Sequence, residues 1–441
     1  MNIICIAQQS ALWQLHGLYE ACLIKGLINR GASVDYFVCQ GGNRLCDLGF
    51  TTIESVCRNC YHVEQTLLQR MDIPFRTLYD EKSRDFFVFA DNWIASLDKK
   101  HLDKAVFHGY PVGQWVYSNF LSVTNQPTYY PGKNENEDIL YLYLLRDTCA
   151  NLLCIRQLLE QKKYDRALLF NGRISTGKVL WELAHERGIT TYIHERGAFM
   201  GTMSFTKDCP VPIHDYVKRA WNVWKDIPLT TAQLEQTHKD ILAREKRLPS
   251  VLNWTTSYSF TEDIPLLNGE RGGCHKLWSV FTSSSNEFGA LGPSVRGEFS
   301  SQMEWLEEVI EYVLRKPDIH IALRAHPGLA PSEYAVGSQV ECAYFDRMKE
   351  HFADNPRVSV FTPTDTISSY ALVRESDVVL AYATTVGVEA ILKGKPAAFG
   401  CNLTYASIEL APLVYTRQTL HEFIDHWASV AKGSLDRKSV V

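Results

Sequence analysis

Short apolar runs alternate with amphipathic stretches in two separate series along this chain. In the first, Asn2–Ala7 reads NIICIA, a strand; His16–Arg30 has the apolar stripe of a helix stopped by Gly31; and Ser33–Cys39 is a second strand. After Cys39 the alternation breaks into a cysteine-rich stretch reaching Tyr61. It then turns mainly helical over Val63–Leu121, with a turn at Gly109-Tyr110-Pro111. A long helix is predicted from Glu137 to Lys162, then a strand at Arg166–Phe170, a helix at Thr176–Arg187 and a strand at Thr190–His194. Strand character is lost over Phe205–Leu267, where Gln233–Lys246 is charged and helical. A second series follows, with strands at Leu277–Thr282, His320–Arg324, Val358–Phe361, Val378–Ala381 and Ala397–Phe399. Helices near Gln302–Arg315, Asp365–Arg374 and Val386–Lys393 separate them. Thr419–Val430 is an amphipathic helix expected to pack back on the first domain.

Strands alternating with helices at this spacing predict α/β architecture with parallel sheets. The expected fold is two Rossmann-like doubly wound domains facing a cleft, where the carboxyl ends of both sheets receive ligands. The predicted division is 1–204 for the first domain with a cysteine-rich insertion at 39–61, and 205–275 for a helical connection. Residues 276–418 form the second domain and 419–441 a terminal helix and tail.

Composition changes this picture in three ways. A length of 441 residues is too great for one ordinary core. A net charge of −5 argues against a nucleic-acid partner that needs many phosphate contacts. No run approaches the roughly 20 apolar residues of a membrane span, and the N-terminus lacks a signal peptide's order, so a cytoplasmic location is expected. Twelve cysteines in such a compartment do not predict a disulfide framework. Cys39, Cys46, Cys57 and Cys60 follow C-x6-C-x10-C-x2-C, in which the last pair has the separation of a zinc knuckle. A structural zinc is one reading and neutral buried thiols the other.

Candidate chemistry concentrates at strand ends. Val378–Gly400 places Thr384 and Thr385 between a strand and a helix that opens on Gly387 and carries Glu389. Free backbone N–H groups and hydroxyls at such a turn suit a phosphate, with Glu389 toward a ribose; an ordinary crossover, its small residues serving only packing, reads the same way. His320–Pro327 reads HIALRAHP, so Arg324 and His326 end a strand, where a guanidinium and a neutral imidazole can both donate to an anion. VFTSSSNEF at Val280–Phe288 adds a hydroxyl-rich loop with Ser284 and Glu287. In the first series two strands end in Asn171-Gly172-Arg173 and His194-Glu195-Arg196-Gly197. Glu195 is the candidate general base, and Asn171, Arg173 and Arg196 are candidate acceptor or anion contacts. A Glu–Arg pair that merely fixes the loop is the competing reading. His16, after the first strand, and His108, before the Gly109–Gly113 turn, are further candidates, for catalysis and for the acceptor respectively.

The Ser-rich strand end, RAHP, and TTVGVEAILKGKP followed by Gly and Tyr together resemble bacterial capsule polysaccharide biosynthesis glycosyltransferases, including the Kdo-transferase type. The resemblance covers mainly Lys276–Tyr405; this chain has Thr384-Thr385 where the family's turn often carries serine. It implies a GT-B fold whose second domain binds a nucleotide-sugar donor through Arg324, His326, Thr384, Thr385, Gly387 and Glu389. It also implies transfer of a sugar, with CMP-Kdo the preferred donor and a uridine-linked sugar the second, to a glycan or lipid-linked acceptor in surface-polysaccharide synthesis. That reading expects no catalytic metal and places the protein at the inner face of the cytoplasmic membrane, in a peripheral assembly complex. The alternatives are a two-domain nucleotide-sugar epimerase and a non-catalytic scaffold.

Overall fold

A computed structural model describes residues 1–7, 14–46, 54–197, 201–209, 214–246, 260–261, 264, 273–286, 295–331, 337–403 and 405–431. The chain divides into two compact units. Residues 1–124 and 129–212 form the first, and residues 125–128 and 213–441 the second.

The first unit is built on β1 (Asn2–Ile6), β2 (Ser33–Val38), β3 (Phe75–Thr77), β4 (Arg166–Phe170), β5 (Thr190–Arg196) and β6 (Met203–Lys207). They form one six-stranded sheet in the order β3-β2-β1-β4-β5-β6. All neighbours are parallel except β6, which runs antiparallel to β5 and sets Glu195 opposite Ser204. Crossovers run through α1 (Gln14–Asn29), α2 (Glu54–Arg70) and α6 (Ser175–Glu186), and α3 (Ser83–Ala95), α4 (Val112–Thr124) and α5 (Glu135–Gln161) supply the helical excursion between β3 and β4. Ile3, Cys5, Val34, Tyr36 and Val38 pack against Ala21 and Ile24 of α1 and Leu68 of α2. The sequence pattern predicts most of these elements. It treats Cys57 and Cys60 as insertion, whereas both lie on α2. It also misses β6, an edge strand whose one buried residue is Thr206 and whose Phe205 is exposed, so no apolar alternation marks it.

In the second unit β7 (Lys276–Phe281), β8 (Ile319–Arg324), β9 (Val358–Phe361), β10 (Val378–Ala381) and β11 (Ala397–Phe399) form an all-parallel sheet in the order β11-β10-β7-β8-β9. All six residues of β7 are buried, as befits a central strand covered on both faces. Trp278 and Val280 face one layer, with Trp305 and Leu306 of α9 (Gln302–Leu314) and Phe345 of α10 (Gln339–His351). Leu277 and Phe281 face the other, with Ala371 and Leu372 of α11 (Ser369–Glu375) and Ala390 of α12 (Val386–Leu392). Period-two alternation thus serves two cores.

The terminal helix α13 (Arg417–Ser429) spends its apolar face inside this unit. Leu420, Phe423 and Ile424 join the core beside α9, and His421 stacks on Tyr312 with ring centroids 3.6 Å apart. The expectation that it packs on the first domain is therefore corrected, because these apolar positions complete the α9 layer. Two further helices, α7 (His214–Trp224) and α8 (Thr231–Glu245), precede the sheet; Thr230 and Gln233 close a capping box on α8. Arg244 pairs with Glu389, and Glu245 with Lys393, so α8 and α12 are joined by two ion pairs.

Gly387 lies in the first turn of α12, where a Cβ would come within 2.5 Å of the Phe399 ring and 2.9 Å of Ala381. Its bare backbone lets α12 sit directly on β10 and β11. Gly387→Ala is expected to destabilise the second unit by about 1–3 kcal/mol through overpacking. Urea denaturation of the variant checks this; an unchanged midpoint would show that Phe399 yields without cost.

Candidate functional site

The order β3-β2-β1-β4-β5-β6 reverses direction between β1 and β4, and the carboxyl edge at such a reversal is where doubly wound sheets receive ligands. Three side chains meet there. His16, in the first turn of α1, is 8 % exposed and sets its ring edge-on to Phe170 at the end of β4. Beyond Phe170 the chain turns through Asn171 and Gly172, both with positive φ (57° and 74°). Asparagine is one of the few non-glycine residues that tolerates this conformation. Its N–H still donates to the His194 carbonyl at 2.9 Å, and its Oδ1 accepts from the Arg173 N–H at 3.2 Å. The Nδ2 is thereby aimed at Glu195, donating to Oε2 at 2.8 Å. Glu195 Oε1 accepts from the Arg196 N–H at 2.8 Å and lies 3.4 Å from His16 Nε2.

A carboxylate held by two N–H donors and facing an imidazole is a proton-accepting pair whose orientation is fixed before any ligand arrives. Sequence reading proposed both His16 and Glu195, and the structure brings them together with Asn171. It did not find what lies behind them. Glu20, one turn along α1 from His16, accepts from the Tyr36 hydroxyl at 2.7 Å and meets His194 Nε2 at 2.8 Å, all three being buried. Burial, with the nearby Glu20 charge second, pushes the Glu64 carboxyl up to about 8. The i, i+4 spacing of His16 and Glu20 was the available signal.

The remaining first-unit candidates are placed differently. Arg173 donates from Nη1 to the hydroxyls of Ser118 and Ser122, at 2.8 and 2.9 Å, so its head is tied to α4. Arg196 is half-buried, and burial holds its pKa below the usual value, with the Glu195 charge opposing. His108 is exposed in the Phe107–Tyr110 turn, its ring edge against Phe107, and joins neither His16 nor Glu195. Cys39, Cys46, Cys57 and Cys60 are all described. Among the described residues no group of three or more His, Cys, Asp or Glu side chains is arranged to hold a metal ion. Of the two readings of these cysteines, that arrangement offers no support to the zinc set. The Gly41 N–H donates to Cys39 Sγ at 3.2 Å, and a Cβ on Gly41 would touch Cys57, so the bare backbone of Gly41 packs on α2.

The second sheet reverses between β7 and β10. β7 runs out into Thr282-Ser283-Ser284-Ser285, all four buried. The Ser283 N–H and carbonyl both bond the Gln302 amide, and Ser285 donates to Glu341 Oε1 at 2.5 Å. These contacts fix a loop whose middle residue, Ser284, stands 3.4 Å from His326 Nδ1. That Nδ1 accepts from the Gly328 N–H at 3.1 Å, so the proton of the neutral ring is on Nε2. Enclosure of the ring first, and the Arg324 charge second, push the His326 pKa down to about 4. His326 is therefore a neutral donor at physiological pH. Thr384, buried, and Thr385, partly exposed, follow β10 on the other side of the reversal.

Arg324 is not at the disposal of a ligand in this arrangement. It is 1 % exposed, and its Nη atoms bond the carbonyls of Thr362 and Asp365, bracing the loop after β9. Glu389 faces Arg244 at 3.2 Å rather than open solvent, and Gly387 is required by packing. Glu287 lies outside the described residues.

No family model and no curated protein matches this sequence. Solved structures with similar features include the UDP-GlcNAc 2-epimerase of Methanocaldococcus jannaschii in complex with UDP-GlcNAc and UDP. It is 10 % identical with a TM-score of 0.31, the match covering 98 % of this chain and 93 % of that one. The beta Kdo 2,7 transferase KpsC of Thermosulfurimonas dismutans is 14 % identical with a TM-score of 0.33, over 63 % of this chain and 80 % of that one. Its beta Kdo 2,4 transferase gives 14 % and 0.35, over 59 % and 79 %. Likeness at this level says nothing of activity, and the fold class rests on the two sheets themselves.

Two buried groups of the second unit pull its pH dependence in opposite directions. The folded state disfavours charged His326, so its contribution is whole above about pH 6.5 and is lost as pH falls toward 4. Burial raises Glu341 to about 7 from 4.5, so its contribution is whole below about 4.5 and is lost as pH rises toward 7. Each is worth about 3 kcal/mol. His326→Gln should leave stability falling with rising pH between these limits, and Glu341→Gln should leave it rising. Urea midpoints of both variants across that window check the pair of signs.

Proposed function

We propose that this protein is a nucleotide-sugar glycosyltransferase whose second unit binds the donor's nucleotide and whose first unit supplies the base. The observation that carries the reading is the His16–Glu195–Asn171 cluster at the β1/β4 reversal, the place and chemistry a base needs. His326 supports the donor half. With Nδ1 occupied by the Gly328 N–H, its Nε2–H can donate to a phosphate oxygen without a titration at neutral pH. Ser284 and the Thr384 and Thr385 hydroxyls offer further donors at the same sheet edge.

In the reaction the acceptor hydroxyl gives its proton to the His16–Glu195 pair as its oxygen bonds the anomeric carbon. The bond between that carbon and the phosphate oxygen breaks, and its electron pair leaves with the nucleotide. The resemblance of the Ser284 loop, the RAHP strand end and the Thr384–Glu389 turn to capsule enzymes favours an acidic sugar on a cytidine monophosphate, with CMP-Kdo as the preferred donor. It favours a glycan or lipid-linked acceptor in surface-polysaccharide synthesis at the inner face of the cytoplasmic membrane. The cited side chains perform these steps without calling on a metal.

Screening nucleotides for thermal stabilisation identifies the donor class, since a ligand of the native state raises Tm. His326→Ala should then weaken that nucleotide by roughly tenfold to over a hundredfold, the loss of one strong hydrogen bond. Glu195→Gln should cut transfer by roughly 10²–10⁴-fold with donor affinity unchanged. Near-normal turnover in Glu195→Gln with a lowered Tm would reduce Glu195 to a loop brace. Conversion of the donor to an isomer without any acceptor would replace transfer by epimerisation.

A further inference from the structure

The helices α7 and α8 and their connection expose more apolar surface than any other stretch of comparable length among the described residues. Trp224 and Val223 are 65 % and 63 % exposed, and Ile227, Leu229 and Leu234 follow, each about half exposed. Every described residue from Trp221 to Lys239 is exposed. Such a contiguous apolar tip is unfavourable in water unless something covers it. Val217 and Ala220, toward the start of α7, are half-buried, so the helix is seated there while its far end stands clear.

The charge around this tip indicates what covers it. In a chain of net charge −5, residues 217–225 read VKRAWNVWK, with three cations and no anion; Asp226 follows. Lys218, Arg219 and Lys225 are all exposed. Two tryptophans, Trp221 and Trp224, lie one turn apart among these cations. Indole rings settle at the headgroup level of a bilayer, and flanking lysine and arginine are drawn to anionic lipid.

We infer that the α7–α8 tip is a peripheral membrane-docking surface for anionic lipid, inserting Trp224, Val223, Ile227 and Leu229 while Lys218, Arg219 and Lys225 hold headgroups. The inference stands apart from the proposed transfer reaction, since it uses no residue of either site.

The test is cosedimentation of the full chain with vesicles of phosphatidylcholine alone and of phosphatidylcholine mixed equally with phosphatidylglycerol. Binding should be at least about tenfold tighter to the mixed vesicles and should weaken with salt. The double variant Trp224→Ser/Ile227→Ser should lose at least about tenfold on mixed vesicles, and Lys218→Glu/Lys225→Glu should abolish the preference for anionic lipid. All four positions are exposed, and an unchanged circular dichroism melt verifies folding of each variant. Binding to neither vesicle, binding indifferent to lipid charge, or binding untouched by the Trp224 variant would overturn the inference. Sedimentation velocity showing a dimer that the Trp224 variant dissociates would do so in favour of a second copy.

Discussion

A parallel strand covered on both faces has room for a polar side chain that is not bonded inside the protein only where it leaves the sheet. That constraint organises both units. β7 spends Leu277, Trp278, Val280 and Phe281 on two cores, and its run of hydroxyls begins only where the strand ends, at Thr282. β4 does the same with Ala167–Phe170 before Asn171. The polar residues that do sit inside a strand are bonded within the protein: Ser279 pairs with Ser376 at 2.6 Å, and His320 with Ser359 at 3.0 Å. Function is pushed to the carboxyl edges because burial leaves it nowhere else.

At those edges, residue type alone does not say which side chains are available. His326 and Arg324 end the same strand two residues apart, and both look suited to an anion. Strand alternation places both on one side, yet Arg324 is drawn inward because the carbonyls of Thr362 and Asp365 need donors. His326 stays at the edge because Gly328 holds only one of its nitrogens. The difference is made by a loop distant in sequence, which no local pattern reveals.

The fold itself was legible to a greater depth. Continuous apolar runs such as Val378–Ala381 and helix stops such as Gly31 and Gly394 mark elements through short-range chemistry, and the two-series alternation gives the doubly wound class. β3 and β6 were hidden because short edge strands bury little and so carry little pattern. His16 and Glu195 were each named as candidates, but their pairing was not, and the left-handed Asn171 that turns an amide toward the carboxylate is a backbone fact. The Glu20–His194–Tyr36 cluster was missed because its members come from three elements far apart in the chain.

The crossed ion pairs between α8 and α12 act as a code for alignment. Arg244 and Glu245 are consecutive and of opposite sign, as are Glu389 and Lys393 one turn apart. A screw displacement of α8 by one residue would put Glu245 where Arg244 stands, carboxylate against carboxylate at Glu389. Burial already raises the Glu389 pKa and lowers that of Lys393, so neither group tolerates a mismatched neighbour cheaply. The sequence therefore spells the docking position of α8 in charge rather than in shape, and exchanging the signs on both helices together would preserve the message.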